Sequence, residues 1–276
     1  MMDLRVIKFF VSLESRTPRC VRWFVWSALF LLGIASVGRA GEGTVILHGG
    51  GEVSTELRSH FVQLAGGQNA RLIVIPTADP STPEDVGRIA SWRERQPASV
   101  ALLHTVSRET ALNEAFAAPL KQATGVWISG GRQTTLASVY LCTPVERELT
   151  ALLRRGGVIA GTSAGAAIQS KVMLVRSEAR EGFDLVPHAV VDQHFVARQR
   201  QNRLLQALAA HPHRFGIGVD EDTAAIVCGD RLTVLGDSTV SICVAAHASQ
   251  PQRVECLKAG ETLDLKPLRA EVSQRK

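Results

Sequence analysis

The chain has 276 residues, 45% of them hydrophobic and 21% charged, which supplies a packed core and excludes a disordered tail or low-complexity scaffold. Its 31 basic and 26 acidic side chains give a formal charge of +5. Residues 1–40 hold six of the basic and two of the acidic ones, so residues 41–276 carry 25 against 24 and are close to neutral, which removes the electrostatic case for a nucleic-acid binder.

Arg19 and Arg22 precede an apolar run, Trp23 to Val37. At about 15 residues it is short for a membrane span, which takes about 20, and suits the core of a signal peptide. Gly38 and Ala40 are small residues placed for cleavage after Ala40. The expected organisation is therefore a leader over 1–40, or a retained anchor in its place because the basic region is long, and one domain over 41–276. This organisation implies an exported location.

Beyond the leader, the pattern predicts strands over 44–48, 71–75, 99–103, 125–129 and 158–160, several ending in glycines: Gly49-Gly50-Gly51, Gly130-Gly131 and Gly161. Helices are predicted over 52–64, through 95, and over 113–122, 145–155 and 166–170; a further one is headed by Arg198 and runs to Ala210. Continuously apolar strands separated by amphipathic helices predict a mostly parallel sheet covered on both faces. From Phe215 onward short β runs (216–220, 223–228, 231–235, 239–245) suggest hairpins extending that sheet at its C-terminal side.

Cys142, Cys228, Cys243 and Cys256 remain after the leader. Cys228 and Cys243 lie in neighbouring runs and could pair, or all four could be small buried hydrophobes. There is no Cys-x-x-Cys, and His211-Pro-His213 is a weak zinc signal.

Gly161-Thr-Ser-Ala-Gly165 follows a strand and precedes a helix, the setting in which a strained turn exposes a nucleophilic serine, here Ser163. Such a serine needs a base, and His194, in Val190-Val-Asp-Gln-His-Phe195, is the candidate. The carboxylates between the two are Glu178, Glu181, Asp184 and Asp192; so short an interval argues against the common α/β-hydrolase. Arg198, Arg200 and Arg203 then suggest an anionic ligand or a fixed ion-pair network. Asp220, Glu221 and Asp222 concentrate negative charge at a strand end, to bind a cationic group or pair with those arginines.

Four ordered segments, Gly130-Gly-Arg-Gln133, Gly161-Thr-Ser-Ala-Gly-Ala-Ala167, Asp192-Gln-His-Phe-x-x-Arg-x-Arg-x-x-Arg-Leu204 and Gly216-Ile-Gly-Val-Asp-Glu-Asp-Thr-Ala224, together resemble the cyanophycinases, of the serine peptidase family that includes aspartyl dipeptidase. Gly49-Gly-Gly-Glu52 and Ile75-Pro-Thr-Ala78 fit as well, and the resemblance covers about 44–245. It implies a class I glutamine-amidotransferase-like three-layer α/β sandwich with serine as nucleophile. It implies Ser163 as nucleophile, His194 as base and a glutamate between them as third member, Glu178 first and Glu181 second. Gln133, Asp192, Arg198, Arg200 and Arg203 would line the substrate site, and the Gly131 and Ala164 amides would form the oxyanion hole.

The activity implied is an exopeptidase releasing β-Asp-Arg dipeptides from cyanophycin, a poly-aspartate bearing arginines, through an acyl-enzyme. The alternatives are an aspartyl or isoaspartyl dipeptidase and a catalytically silent binding protein. Such a mechanism asks for no metal or other cofactor, no nucleic acid, and no membrane unless the leader is retained; a homodimer is left open. Two departures from the family pattern, Arg132 and a short 170–190 segment, bear on specificity.

Overall fold

The computed structural model describes residues 42–79, 86–176, 178–248 and 250–275; the expected leader and its cleavage point lie outside them. In chain order the first part is β1 (Thr44–His48), α1 (Thr55–Leu64), β2 (Arg71–Ile75), α2 (Val86–Arg93), β3 (Ser99–Leu102), α3 (Arg108–Ala111), α4 (Glu114–Ala117), β4 (Gly125–Ile128), α5 (Gln133–Tyr140), α6 (Pro144–Arg154), β5 (Val158–Thr162) and α7 (Ala164–Ala167). The second part is β6 (Val172–Val175), β7 (Glu178–Glu181), β8 (Ala189–Gln193), α8 (Gln201–Ala210), β9 (Phe215–Val219), β10 (Thr223–Cys228), β11 (Arg231–Gly236), β12 (Thr239–Val244), β13 (Arg253–Lys258), β14 (Thr262–Asp264) and α9 (Lys266–Ser273).

Eight strands form the main sheet, in the order β14-β11-β10-β1-β5-β4-β2-β3. From β1 to β3 the neighbours run parallel, while β10, β11 and β14 join antiparallel at the other side. Alternation of side chains along each strand serves two faces. On one, Ile46, Leu72, Val74 and Trp127 meet Leu57 and Phe61 of α1 and Trp92 of α2, with Phe61 edge-on to both tryptophans at 5.4 and 5.6 Å. On the other, Val45, Leu47, Ile73 and Ile159 pack with Leu136 of α5 and Leu149 and Leu152 of α6. Each such side chain, fully buried, stabilises the fold by about 1.5–3 kcal/mol before entropy is counted.

Local rules explain the helix ends. Thr143 caps α6 by accepting the Val145 N–H, and Pro144 occupies the first turn, where no N–H is needed. The helix predicted over 113–122 is broken: α4 stops at Ala117 and a 3-10 turn, Ala118–Lys121, contains Pro119, which cannot continue an α-helical ladder. Of the four late β runs, β10 and β11 form the hairpin extension of the main sheet. The other two, β9 and β12, belong to a second sheet ordered β13-β12-β9-β8. There β9 lies parallel to β8, with α8 as the crossover. Helix α5, the β6–β7 hairpin and the elements after 245 carry no clear sequence signal.

Cys142 and Cys256 are exposed, Cys228 is half-buried, Cys243 is buried, and all four are free thiols. Cys228 and Cys243 fall in different sheets, and burial pushes the Cys243 thiol up to about 12. Among the described residues no helix is long and apolar enough to cross a membrane.

Candidate active site

The carboxyl ends of β1 and β5 are register partners, His48 opposite Thr162, and those of β8 and β9 likewise, Gln193 opposite Val219. The residues that leave these ends are Gly49, Ser163, His194 and Asp220, so four strand ends from two sheets deliver their polar residues to one place. Ser163 sits at φ 50, ψ −108 and His194 at φ 50, conformations that non-glycine residues hold only where surrounding structure fixes them.

Main-chain bonds to β1 and the glycines after it provide that fixing. The Ser163 N–H donates to the His48 carbonyl (2.9 Å), the His194 N–H to Gly49 O (2.8 Å) and the Asp222 N–H to Gly50 O (2.8 Å). Gly50 has φ +114, and a Cβ there would lie 2.1 Å from Cε1 of His194. The imidazole thus rests flat against bare backbone.

Ser163 Oγ lies 2.8 Å from His194 Nε2, and His194 Nδ1 lies 2.5 Å from Glu221 Oε1. The three form a relay: hydroxyl to imidazole, imidazole to carboxylate. Burial, helped by the positive charge of Arg198, holds the His194 imidazole below its ordinary value, although its bond to Glu221 acts the other way. It is therefore neutral at pH 7 and can accept the serine proton.

The glutamate against His194 is Glu221 rather than either residue expected from the 163–194 interval. Glu178 is exposed on β7 and paired with Arg180 at 2.5 Å, and Glu181 is exposed and paired with Lys171. The β6–β7 hairpin folds that stretch back on itself, whereas β9 delivers 220–222 to the serine. The neighbours of Glu221 serve the backbone. Asp220 accepts the Val196 and Ala197 N–H groups (3.1 and 3.0 Å), and Asp222 accepts that of Glu52 (2.6 Å).

A Cβ on Gly130 would come 3.4 Å from Ser163 Cβ, and Gly131, at φ +138, has Ala78 O where its own Cβ would stand. Ala164 opens α7 directly after the serine. Neither the Gly131 nor the Ala164 amide has a protein acceptor among the described residues. Also among the described residues, no group of three or more His, Cys, Asp or Glu is arranged to hold a metal ion.

Residues 45–235 match the sequence profile of Peptidase family S51. The chain belongs to peptidase family S51. It is 34% identical over 278 residues to a cyanophycinase of Trichormus variabilis (strain ATCC 29413 / PCC 7937), covering 95% of this chain and 86% of that protein. It is also 34% identical over 219 residues to a cyanophycinase of Synechococcus elongatus, covering 73% and 68%. The crystal structure of a peptidase from an acI-B1 Actinobacterium superposes with a TM-score of 0.63 at 27% identity, over 81% of this chain and 97% of that one.

As an S51 member the chain is a serine-type peptidase, and its remaining expected site residues fall into two groups. Asp192 has no exposed surface; Arg203 donates to both its oxygens, with Nε at 3.0 Å, and Arg200 lies 3.4 Å away. Arg200 further donates to Gln193 O (2.7 Å) and Arg203 to Arg176 O (3.0 Å). These three therefore satisfy one another and pin the backbone before His194. Together they form an ion-pair network. Gln133 donates to Leu174 O (2.5 Å) and accepts from Gln193 Nε2 (3.3 Å). Arg198 is exposed in the turn beyond His194, and in this S51 peptidase it is the arginine of the three left facing solvent.

Proposed function

We propose that this S51 peptidase hydrolyses aspartyl linkages of cyanophycin to β-Asp-Arg dipeptides, with Ser163, His194 and Glu221 as its triad. The observation that carries the reading is the continuous relay from Ser163 Oγ to Glu221 Oε1. Ser163 Oγ attacks the scissile carbonyl while His194 Nε2 takes its proton. The carbonyl oxygen becomes an oxyanion facing the Gly131 and Ala164 amides, which lowers the barrier because those donors are already in place. His194 then gives the proton to the leaving amine and an acyl-enzyme remains. Water, deprotonated by the same imidazole, releases the acid and restores the serine. Glu221 holds the ring with Nε2 toward Ser163 and stabilises the imidazolium while it exists.

The substrate assignment is supported by two cyanophycinases that are 34% identical to the chain over most of its length. It is supported as well by charges of both signs next to the triad segments, the exposed Arg198 and the exposed Asp222. Such a mixture suits a polymer that alternates carboxylate and guanidinium groups. Arg132, in the turn beside Ser163, favours short aspartyl peptides as the second reading.

The test is incubation of the purified full-length protein with insoluble cyanophycin, following soluble product by mass spectrometry. Release of β-Asp-Arg that disappears in Ser163→Ala is expected. Cleavage of aspartyl dipeptides with the polymer untouched would transfer the assignment to the second reading. Export belongs to the same proposal: secreted protein should begin at Gly41, and intact mass reads that directly.

A further inference from the structure

One buried titratable group beside Ser163 takes no part in the chemistry above. His48 ends β1 with 1% of its surface exposed. Its Nδ1 lies 2.7 Å from Oγ1 of Thr162, the residue directly before the serine and its own register partner across the sheet. Its carbonyl accepts the Ser163 N–H. One residue therefore holds the turn twice, by main chain at 163 and by side chain at 162.

Any residue at position 48 would supply the carbonyl; the second hold belongs to the imidazole. It acts where the chain is least at ease, one residue before the strained φ of Ser163. The Thr162 methyl also lies 3.6 Å from where a Gly130 Cβ would stand. Locking the threonine thus sets the wall behind the Gly130-Gly131 turn as well. Burial takes the His48 imidazole down to about 4, so at neutral pH it offers a hydrogen bond without placing a second positive charge near His194.

We propose that His48 is a positioning residue for Ser163, acting through the hydroxyl of Thr162. The inference rests on Ser163 being the nucleophile. Full-length His48→Phe, Thr162→Val and the double variant are compared on short β-aspartyl-arginine oligomers, beside Ser163→Ala, with thermal unfolding as the check on folding. Phe keeps an aromatic ring and Val keeps the threonine shape. In each single variant kcat should fall on the order of tenfold to a hundredfold with KM unchanged, and the double variant should be no worse than either, since both remove one contact.

Folded single variants with wild-type kcat, or losses that multiply in the double, overturn the proposal. If His48→Phe does not fold, Thr162→Val alone decides: a selective loss in kcat supports the proposal and wild-type kcat overturns it. Turnover persisting in Ser163→Ala removes the nucleophile assignment instead, whatever the His48 variants do. If wild-type protein leaves the oligomers intact, the same comparison is read from the limiting rate at which a fluorophosphonate labels Ser163.

Discussion

Glu221 reaches His194 from 27 residues further along the chain, so in the proposed triad the acid comes after the base in sequence although it lies behind it in space. A search confined to the carboxylates between Ser163 and His194 could not find it. The signal was present as three consecutive acids at a strand end; what was missing was that β9 lies parallel to β8 and so ends beside it. Glu221→Gln should lower kcat by a factor on the order of 10³–10⁴, as loss of a triad acid does elsewhere, while Glu178→Gln should leave it within twofold of wild type; steady-state kinetics on the two variants separates the assignments. The base must be unprotonated to work, and burial lowers the His194 value. The acid limb of the rate profile should therefore lie below the ordinary imidazole value. Arg198→Gln removes a positive neighbour, makes protonation easier and should move this acid limb to higher pH in a kcat/KM profile.

The three triad segments all hydrogen-bond to the same short stretch, His48 to Gly50. In sequence it read as a strand running into a tight turn and as a segment that fits the family resemblance, with no role in holding the site. Gly50 can be judged by its surroundings: any Cβ collides with the His194 ring. Gly50→Ala should cost at least a hundredfold in kcat by displacing the base about an ångström, with the far-ultraviolet circular dichroism spectrum retained. Other elements divide the same way. The apolar strands β1, β2, β4 and β10 were legible because burial on both faces demands continuous hydrophobicity. Helix α5, Gln133–Tyr140, was not, because its first turn is Gln-Thr-Thr and its buried residues are only Leu136, Val139 and Tyr140. The arginines after His194 were visible as a group, but only the fold shows that Asp192 occupies two of them.

For the molecule as a whole, His48 also couples stability to pH. An imidazole with its folded value lowered to about 4 from 6.5 binds fewer protons folded than unfolded between those limits, so stability is full above about pH 6.5 and declines as pH falls toward 4. The expected loss is on the order of 3 kcal/mol, measurable by urea unfolding at several pH values, and His48→Gln should flatten that part of the profile. The layered fold and its mostly parallel sheet were legible from alternation of apolar runs. The second sheet was not, since nothing in a short β run says which of two sheets will accept it. That two-sheet arrangement has a consequence for timing. The serine leaves a strand of one sheet, the histidine a strand of the other, and the glutamate lies on the link from β9 to β10, the strand that completes the pairing of β1 about 180 residues after it was made. A chain still emerging from the ribosome holds its nucleophile and its base well before the carboxylate and strand that align them. The relay is therefore complete only once the chain has been made as far as β10 and that strand has paired with β1.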